Sequence, residues 1–212
     1  MKVPIVVLGA GGHAKVLIEA LRASSAELLG IVDPDLALMG RKVMGVPVLG
    51  GDDKVMQYRP DDVQLVDGVG SVTLPQRRTD LFEKFKKRGF SFATVVHPSA
   101  VVASDVELGE GAQIMAGAII QPGTRIGRNS IINTGASVDH DCQIGDHVHV
   151  APGVTLSGAV TVGAGTHIGT GATVVQGVRI GSGGVVGAGA LVLNDVPDKV
   201  TVMGVPAKAV KQ

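Results

Sequence analysis

The chain lacks most of what marks several large protein classes. Its 212 residues include no Trp, one Tyr, four Phe and one Cys, and 19 basic residues are matched by 19 acidic ones. A single Cys excludes a disulfide scaffold and a zinc site built from cysteines. Zero net charge with interspersed signs leaves no basic stripe, which argues against nucleic acid as a partner. No apolar run approaches the ~18 residues of a membrane span, and no charged segment precedes one at the N-terminus. These absences predict a reduced, soluble, cytoplasmic protein. The length suits one large domain or two small ones.

Glycine is plentiful and unevenly placed. Of 31 Gly, 11 lie in residues 1–97 and 20 in residues 98–212, while Tyr58, Phe82, Phe85, Phe90 and Phe92 all precede residue 93. The second part must therefore fill its core with aliphatics alone. This break, at Pro98, predicts two domains, 1–97 and 98–212.

The second part carries a repeat. Every sixth residue from Val102 to Val192 is Val, Ile or Leu, sixteen in succession. Two residues earlier stand small side chains, as at Ala112, Ala118, Thr124, Ser130, Ala136, Cys142, Thr166, Ala172 and Ala190, and Gly often follows the aliphatic, as at Gly109, Gly127 and Gly145. A period of six belongs neither to a helix nor to an ordinary strand. It fits a parallel β-helix with three flat sides and about 18 residues per coil, giving about five coils stacked ~4.8 Å apart. The aliphatic points into a prism too narrow for rings.

The first part reads β-α-β-loop-β-α-β, a small Rossmann-like α/β domain. Apolar runs at Val3–Leu8 and Leu28–Val32 flank Gly9-Ala10-Gly11-Gly12-His13-Ala14 and an amphipathic stretch from Val16 to Leu21. Val63–Val66 runs into Asp67-Gly68-Val69-Gly70, residues 75–89 form a charged helix, and Phe90–Val96 closes as a strand. The Gly turn, with Asp33 ending the next strand, outlines a nucleotide fingerprint: a tight turn, backbone close to a phosphate, and a helix N-terminus facing the anion. A nicotinamide enzyme competes with this reading. About 90 residues, however, supply only half of a two-halved dinucleotide fold, which suits a nucleoside diphosphate better.

The densest polar cluster runs from Asn133 to His149 and holds His140, His147 and His149. The repeat sends Val138 and Cys142 inward and leaves His140 and Asp141 outside at a corner. Gly158 lies one coil above His140, leaving open space and a bare backbone N–H, as a His base and an oxyanion donor require. Asp141 orients His140, and His149 lies below His167 on a flat side. A metal site of His140, His147 and His149 is disfavoured because the repeat sends them to different faces. Asp139 and Asp141, as chain neighbours, diverge too much for a paired acid and base. Cys142 reads as buried filler, His147 as a surface residue and His167 as structural or at most a groove contact.

The hexads resemble the hexapeptide-repeat acyltransferases. Val7-Leu8-Gly9-Ala10-Gly11-Gly12-His13, together with Ile132-Asn133-Thr134, Asp139-His140-Asp141-Cys142 and Gly204-Val205-Pro206-Ala207-Lys208, is similar to the PglD/NeuD-type sugar acyltransferases. The resemblance implies a left-handed β-helix and a homotrimer with acetyl-CoA in the groove between two prisms, without a metal. It implies His140 as general base, Asp141 as its orienting acid, and Asn133 near the substrate. It also implies His149 and Gly158 beside the thioester, and Gly11, Gly12, His13 and Asp33 at a nucleotide-sugar site. The implied reaction is acetylation of the C4 amine of a nucleotide-linked amino sugar. Sialate-type O-acetylation, a sugar nucleotidyltransferase and a non-catalytic solenoid are the competing expectations.

Overall fold

The computed structural model describes residues 3–71 and 74–210. β1 (Ile5–Leu8) is buried throughout, and α1 (Gly12–Ala23) lays Ala14, Leu17, Ile18 and Leu21 on the sheet. That is the i, i+3, i+4, i+7 stripe of a helix covering one face of a sheet. After β2 (Leu28–Val32) comes a hairpin within the expected loop, β3 (Lys42–Val43) and β4 (Val46–Gly50), turned through Met44 and Gly45 at positive φ. Its arms are too short to display a period. β5 (Gln64–Asp67), α2 (Gln76–Lys86) and β6 (Ser91–Phe92) complete the layer, in the sheet order β3-β4-β2-β1-β5-β6. Every pair is parallel except β3 with β4. With β2 and β5 on opposite sides of β1, the loops after β1, β2 and β5 open a crevice at a topological switch point.

The single strand expected over Phe90–Val96 is divided. Ser91–Phe92 pairs with β5, while β7 (Val95–Val96) pairs with Gln113–Ile114 and opens the solenoid. The chain changes partner within three residues: Ala93 N–H bonds to the Leu65 carbonyl and Val95 N–H to the Ala112 carbonyl.

From there two-residue strands recur every six residues and stack on the strands one coil away, as Gln113–Ile114 on Ile131–Ile132 on His149–Val150. The first face begins at Val95–Val96, the second at Val101–Val102 and the third at Glu107–Leu108, in sheets of eight, six and five strands. They wind as a left-handed β-helix. The first face alone includes seven parallel strands, so the stack runs beyond the five coils expected. A final antiparallel strand, Lys208–Val210 on Thr201–Met203, ends it. From Ile114 to Val192 each aliphatic of the repeat is 3% exposed or less, and the nine small residues beside them are buried as well. Thr124, Ser130 and Thr166 hydroxyls donate to the Asp139, Gly145 and Gly181 carbonyls at 2.7–2.9 Å, satisfying themselves inside the prism.

A second six-residue register lies in the corners. Residues 111 to 189, counted every sixth, all have positive φ; most are Gly, and Asn129, Asp141, His147 and Ala159 are the exceptions. The glycines that follow the aliphatics have a different reason. A Cβ on Gly127 would stand 2.4 Å from the Gly145 carbonyl carbon of the coil above. No helix among the described residues is long and apolar enough to cross a membrane.

Candidate active site

His140 stands at the corner between the second and third faces, outside the prism as the repeat predicts. Its Nδ1 lies 2.8 Å from Asp141 Oδ2, and its backbone N–H donates to Asp139 Oδ1 at 2.8 Å. Asp141 occupies one of the left-handed corners, φ 60°, a conformation that Asp tolerates better than most residues. Gly123 makes room for its carboxylate, since a Cβ there would meet Oδ1 at 2.5 Å. The hydrogen bond to Asp141 holds the His140 pKa above its ordinary value.

Gly158 does lie above His140, but the space is not open. A Cβ at Gly158 would stand 2.6 Å from both Cε1 and Nε2 of His140. The imidazole itself fills the gap, so glycine supplies a seat for the ring. The Gly158 N–H has no hydrogen-bond partner among the described residues.

The nucleotide fingerprint becomes a crevice of about 270 Å³ lined by Gly9–His13, Asp33, Gly68, Val69, Gly70 and Arg77. The α1 N-terminus enters it with no side-chain cap and no acidic residue in its first turn, leaving backbone N–H groups for an anion. Asp33 is occupied in building the turn: its carboxylate accepts from Ala10 N–H at 2.7 Å and Asp35 N–H at 2.9 Å. His13 bridges to the solenoid, its Nε2 lying 2.8 Å from Gln113 Oε1, and burial lowers its pKa to about 4. Arg77, a cation on the crevice wall, reads in the sequence only as one charge among many on α2.

A second cavity, about 360 Å³, opens on the first face and the corner beyond it, lined by Ser71, Asn133, His149, Pro152, His167 and Thr170, among others. Asn133 and His149 do come together there, with Asn133 Nδ2 3.1 Å from His149 Nε2, and Ser71 Oγ lies 2.9 Å from His149 Nδ1. Burial, then the nearby His167, lower the His149 pKa to about 3. His149 and Gly158 therefore sit on different sides of the prism. His140, His147 and His149 are likewise dispersed, and no metal-binding cluster occurs among the described residues. Cys142 is buried, its thiol donating to the Ser157 carbonyl at 3.3 Å and pushed up to about 11 by desolvation.

The seam between the domains is polar and sealed. Arg78, 1% exposed, donates to the Asp67 and Val69 carbonyls at 2.7 and 3.0 Å and to Asn129 Oδ1 at 2.7 Å. Asp67 Oδ1 lies 3.6 Å from its Nη1, and burial raises the Asp67 pKa to about 6. Gln113 Nε2 donates to the Asp67 carbonyl at 2.8 Å. His147, expected at the surface, is instead packed into this seam. Its side chain is 11% exposed and its ring meets Phe82 edge-on at 5.5 Å. The α2 residues that bury it lie far away in sequence, beyond the reach of the repeat.

Comparison with known proteins matches both parts in order. Residues 4–85 match the PglD N-terminal domain, and residues 105–140 and 123–158 match the bacterial transferase hexapeptide family of six repeats. A variant of perosamine N-acetyltransferase from Caulobacter crescentus, solved with CoA and GDP-perosamine, is similar with TM-score 0.92 and 43% identity over 99% of this chain and 97% of that one. The acetyltransferase domain of PglB from Neisseria gonorrhoeae, in complex with acetyl coenzyme A, has TM-score 0.92 and 36% identity over 99% of this chain and 100% of its own. UDP-N-acetylbacillosamine N-acetyltransferase of Bacillus subtilis (strain 168) is 41% identical over 114 residues, 53% of this chain and 51% of that protein, so the match spans about half of its length. A likeness of this degree along the whole chain, with both domains in the same order, makes this chain a member of the PglD-type hexapeptide-repeat acetyltransferases.

Proposed function

We propose that the chain transfers the acetyl group of acetyl-CoA to the C4 amine of a nucleotide-linked amino sugar. The observation that carries this reading is the His140–Asp141 pair seated on Gly158. Nδ1–H donates to Asp141 at 2.8 Å, which leaves the Nε2 lone pair to act as general base. As the amine nitrogen bonds to the thioester carbonyl carbon, Nε2 takes its proton. The tetrahedral intermediate then collapses with cleavage of the C–S bond, and the imidazolium returns the proton to the departing sulfur. The free Gly158 N–H stabilises the oxyanion. The uncapped α1 N-terminus and Arg77 hold the nucleotide diphosphate. The similar structures solved with CoA and GDP-perosamine, or with acetyl coenzyme A, support the same substrates here.

The site is completed by assembly into a homotrimer. Within one chain the second face separates His140 from the cavity of Asn133 and His149. Outward positions on that face are Val101, Ile119, Ser137, Thr155, Thr173 and Leu191, without a charge, whereas the third face presents Glu107, Arg125 and Arg179. An uncharged face flanked by the two half-sites suits a cyclic, head-to-tail interface that brings His140 of one copy to the cavity of the next.

A thiol-release assay with acetyl-CoA against UDP- and GDP-linked 4-amino sugars, with the matching 4-hydroxy sugars as controls, tests the reaction. Release only with an amine acceptor is the expected result. Release only with the hydroxy sugars assigns O-acetylation instead, and none with any acceptor overturns the proposal. Sedimentation equilibrium at the mass of one chain would overturn the trimer.

A further inference from the structure

One loop walls both cavities. Gly68, Val69 and Gly70 line the crevice, and the next residue, Ser71, lines the cavity of His149. Neighbouring Cα atoms stand ~3.8 Å apart, so a ligand whose diphosphate rests at Gly70 carries its next group to Ser71. Arg78 grips this loop through two carbonyls and ties it to Asn129 of the solenoid, which keeps the two cavities in fixed register.

The hydrogen bonds around Ser71 have a definite direction. Thr134 N–H donates to Asn133 Oδ1 at 2.8 Å, which turns the amide nitrogen of Asn133 toward His149. An amide nitrogen only donates, so His149 Nε2 accepts. Burial keeps the ring neutral, and its single proton therefore sits on Nδ1, which donates to Ser71 Oγ at 2.9 Å. Ser71 oxygen is used as an acceptor, and its own proton has no acceptor among the described residues. On the same wall, His167 meets His149 edge-on at 5.0 Å with its Nδ1 buried and unpartnered.

We infer that Ser71 is a substrate-contacting residue of the amino-sugar subsite, its hydroxyl donating to an oxygen of the sugar that hangs from the diphosphate. Asn133 and His149 are then positioning residues that aim this hydroxyl. The inference rests on the function proposed above. It is tested with Ser71→Ala and Ser71→Thr in steady-state thiol release, varying the accepted amino-sugar nucleotide and acetyl-CoA in turn, with the matching nucleoside diphosphate as inhibitor. Losing one hydrogen bond raises KM for the sugar nucleotide about threefold to tenfold in Ser71→Ala. Ser71→Thr restores it, while the inhibition constant of the nucleoside diphosphate, KM for acetyl-CoA and the melting temperature stay unchanged. An unchanged sugar-nucleotide KM in an active enzyme overturns this contact alone, and so does a rise confined to acetyl-CoA. A wild-type chain inactive toward every nucleotide-linked amine overturns the proposed reaction and the contact with it.

Discussion

In the α/β domain the rings of Phe82, Phe85, Phe90 and Phe92 fill the space against the sheet, and each element occurs once. In the solenoid no ring enters the prism; one aliphatic and one small residue per side, repeated, make the core. Any single hexad of the solenoid is thus interchangeable with its neighbours, and departures from the repeat are informative. Three of the four non-glycine residues in the left-handed corners, Asn129, Asp141 and His147, carry polar connections: to Arg78, to His140 and to Asn129. In the α/β domain no such background exists, and Arg77, Ser71 and Arg78 look like ordinary polar residues until the fold assembles them.

The comparison can be tested by substitutions on each side. The largest effect is expected from His140→Ala, which removes the proposed general base on the solenoid. kcat falls ~10²–10⁴-fold, and thermal melting is unchanged because the side chain is 52% exposed and makes no core contact. A variant with normal turnover would remove His140 from the chemistry. Next is Arg78→Met at the seam. Breaking a buried charge network typically costs ~3–5 kcal/mol, so denaturant midpoints should drop sharply, and KM for the nucleotide substrate should rise as the Gly68–Ser71 wall loosens. Equal stability to the wild type would make the seam an incidental contact.

Two glycines give a smaller contrast. Gly127→Ala forces a Cβ against the Gly145 carbonyl of the next coil and should lose ~1–3 kcal/mol. Gly11→Ala meets nothing within 4 Å and has no positive φ, so its stability should stay within ~0.5 kcal/mol. Calorimetry on the pair separates glycine required by coil spacing from glycine at the proposed nucleotide-binding turn.

The smallest effects are displacements with pH. As the proposed base His140 must be neutral to act, and its raised pKa places the acid limb of kcat/KM above the ordinary histidine value. Asp141→Asn removes the cause and should move that limb to lower pH. The opposite sign holds for His13 and His149, lowered from 6.5 to about 4 and about 3. Below 6.5 the unfolded chain takes protons that the folded chain refuses, so stability is full above that pH and declines as pH falls toward 4. Melting temperatures measured from pH 7 to 4 check this decline.

Much of the site was legible because the repeat is a ruler. Val138 and Cys142 inward, His140 and Asp141 at a corner, Gly158 one coil above and His149 beneath His167 all follow from counting in sixes. The ruler does not say what occupies the space at a corner, so Gly158 was expected to leave a gap that the imidazole in fact fills. Nor does it extend past one chain segment. His147 is at a corner by count, but α2 covers it. The β3–β4 hairpin escaped because its arms are too short for periodicity, and the strand over Phe90–Val96 divided because hydrophobicity does not reveal when a chain changes partner.

By itself the sequence determined the prism, its direction of side chains, the glycine-rich turn between β1 and α1 and the His140–Asp141 pair. Each depends on local spacing, and local spacing sets side-chain direction when every strand has the same surroundings. Only the tertiary structure decided that Asp33 serves the turn, that Arg78 locks Asp67 and Val69 to Asn129, and that Ser71 joins Asn133 and His149. The widest of those contacts, Ala10 with Asp33, Arg78 with Asn129 and Ser71 with His149, link residues 23, 51 and 78 positions apart, and hydrogen-bond partners at such separations are selected by packing, which no periodicity encodes.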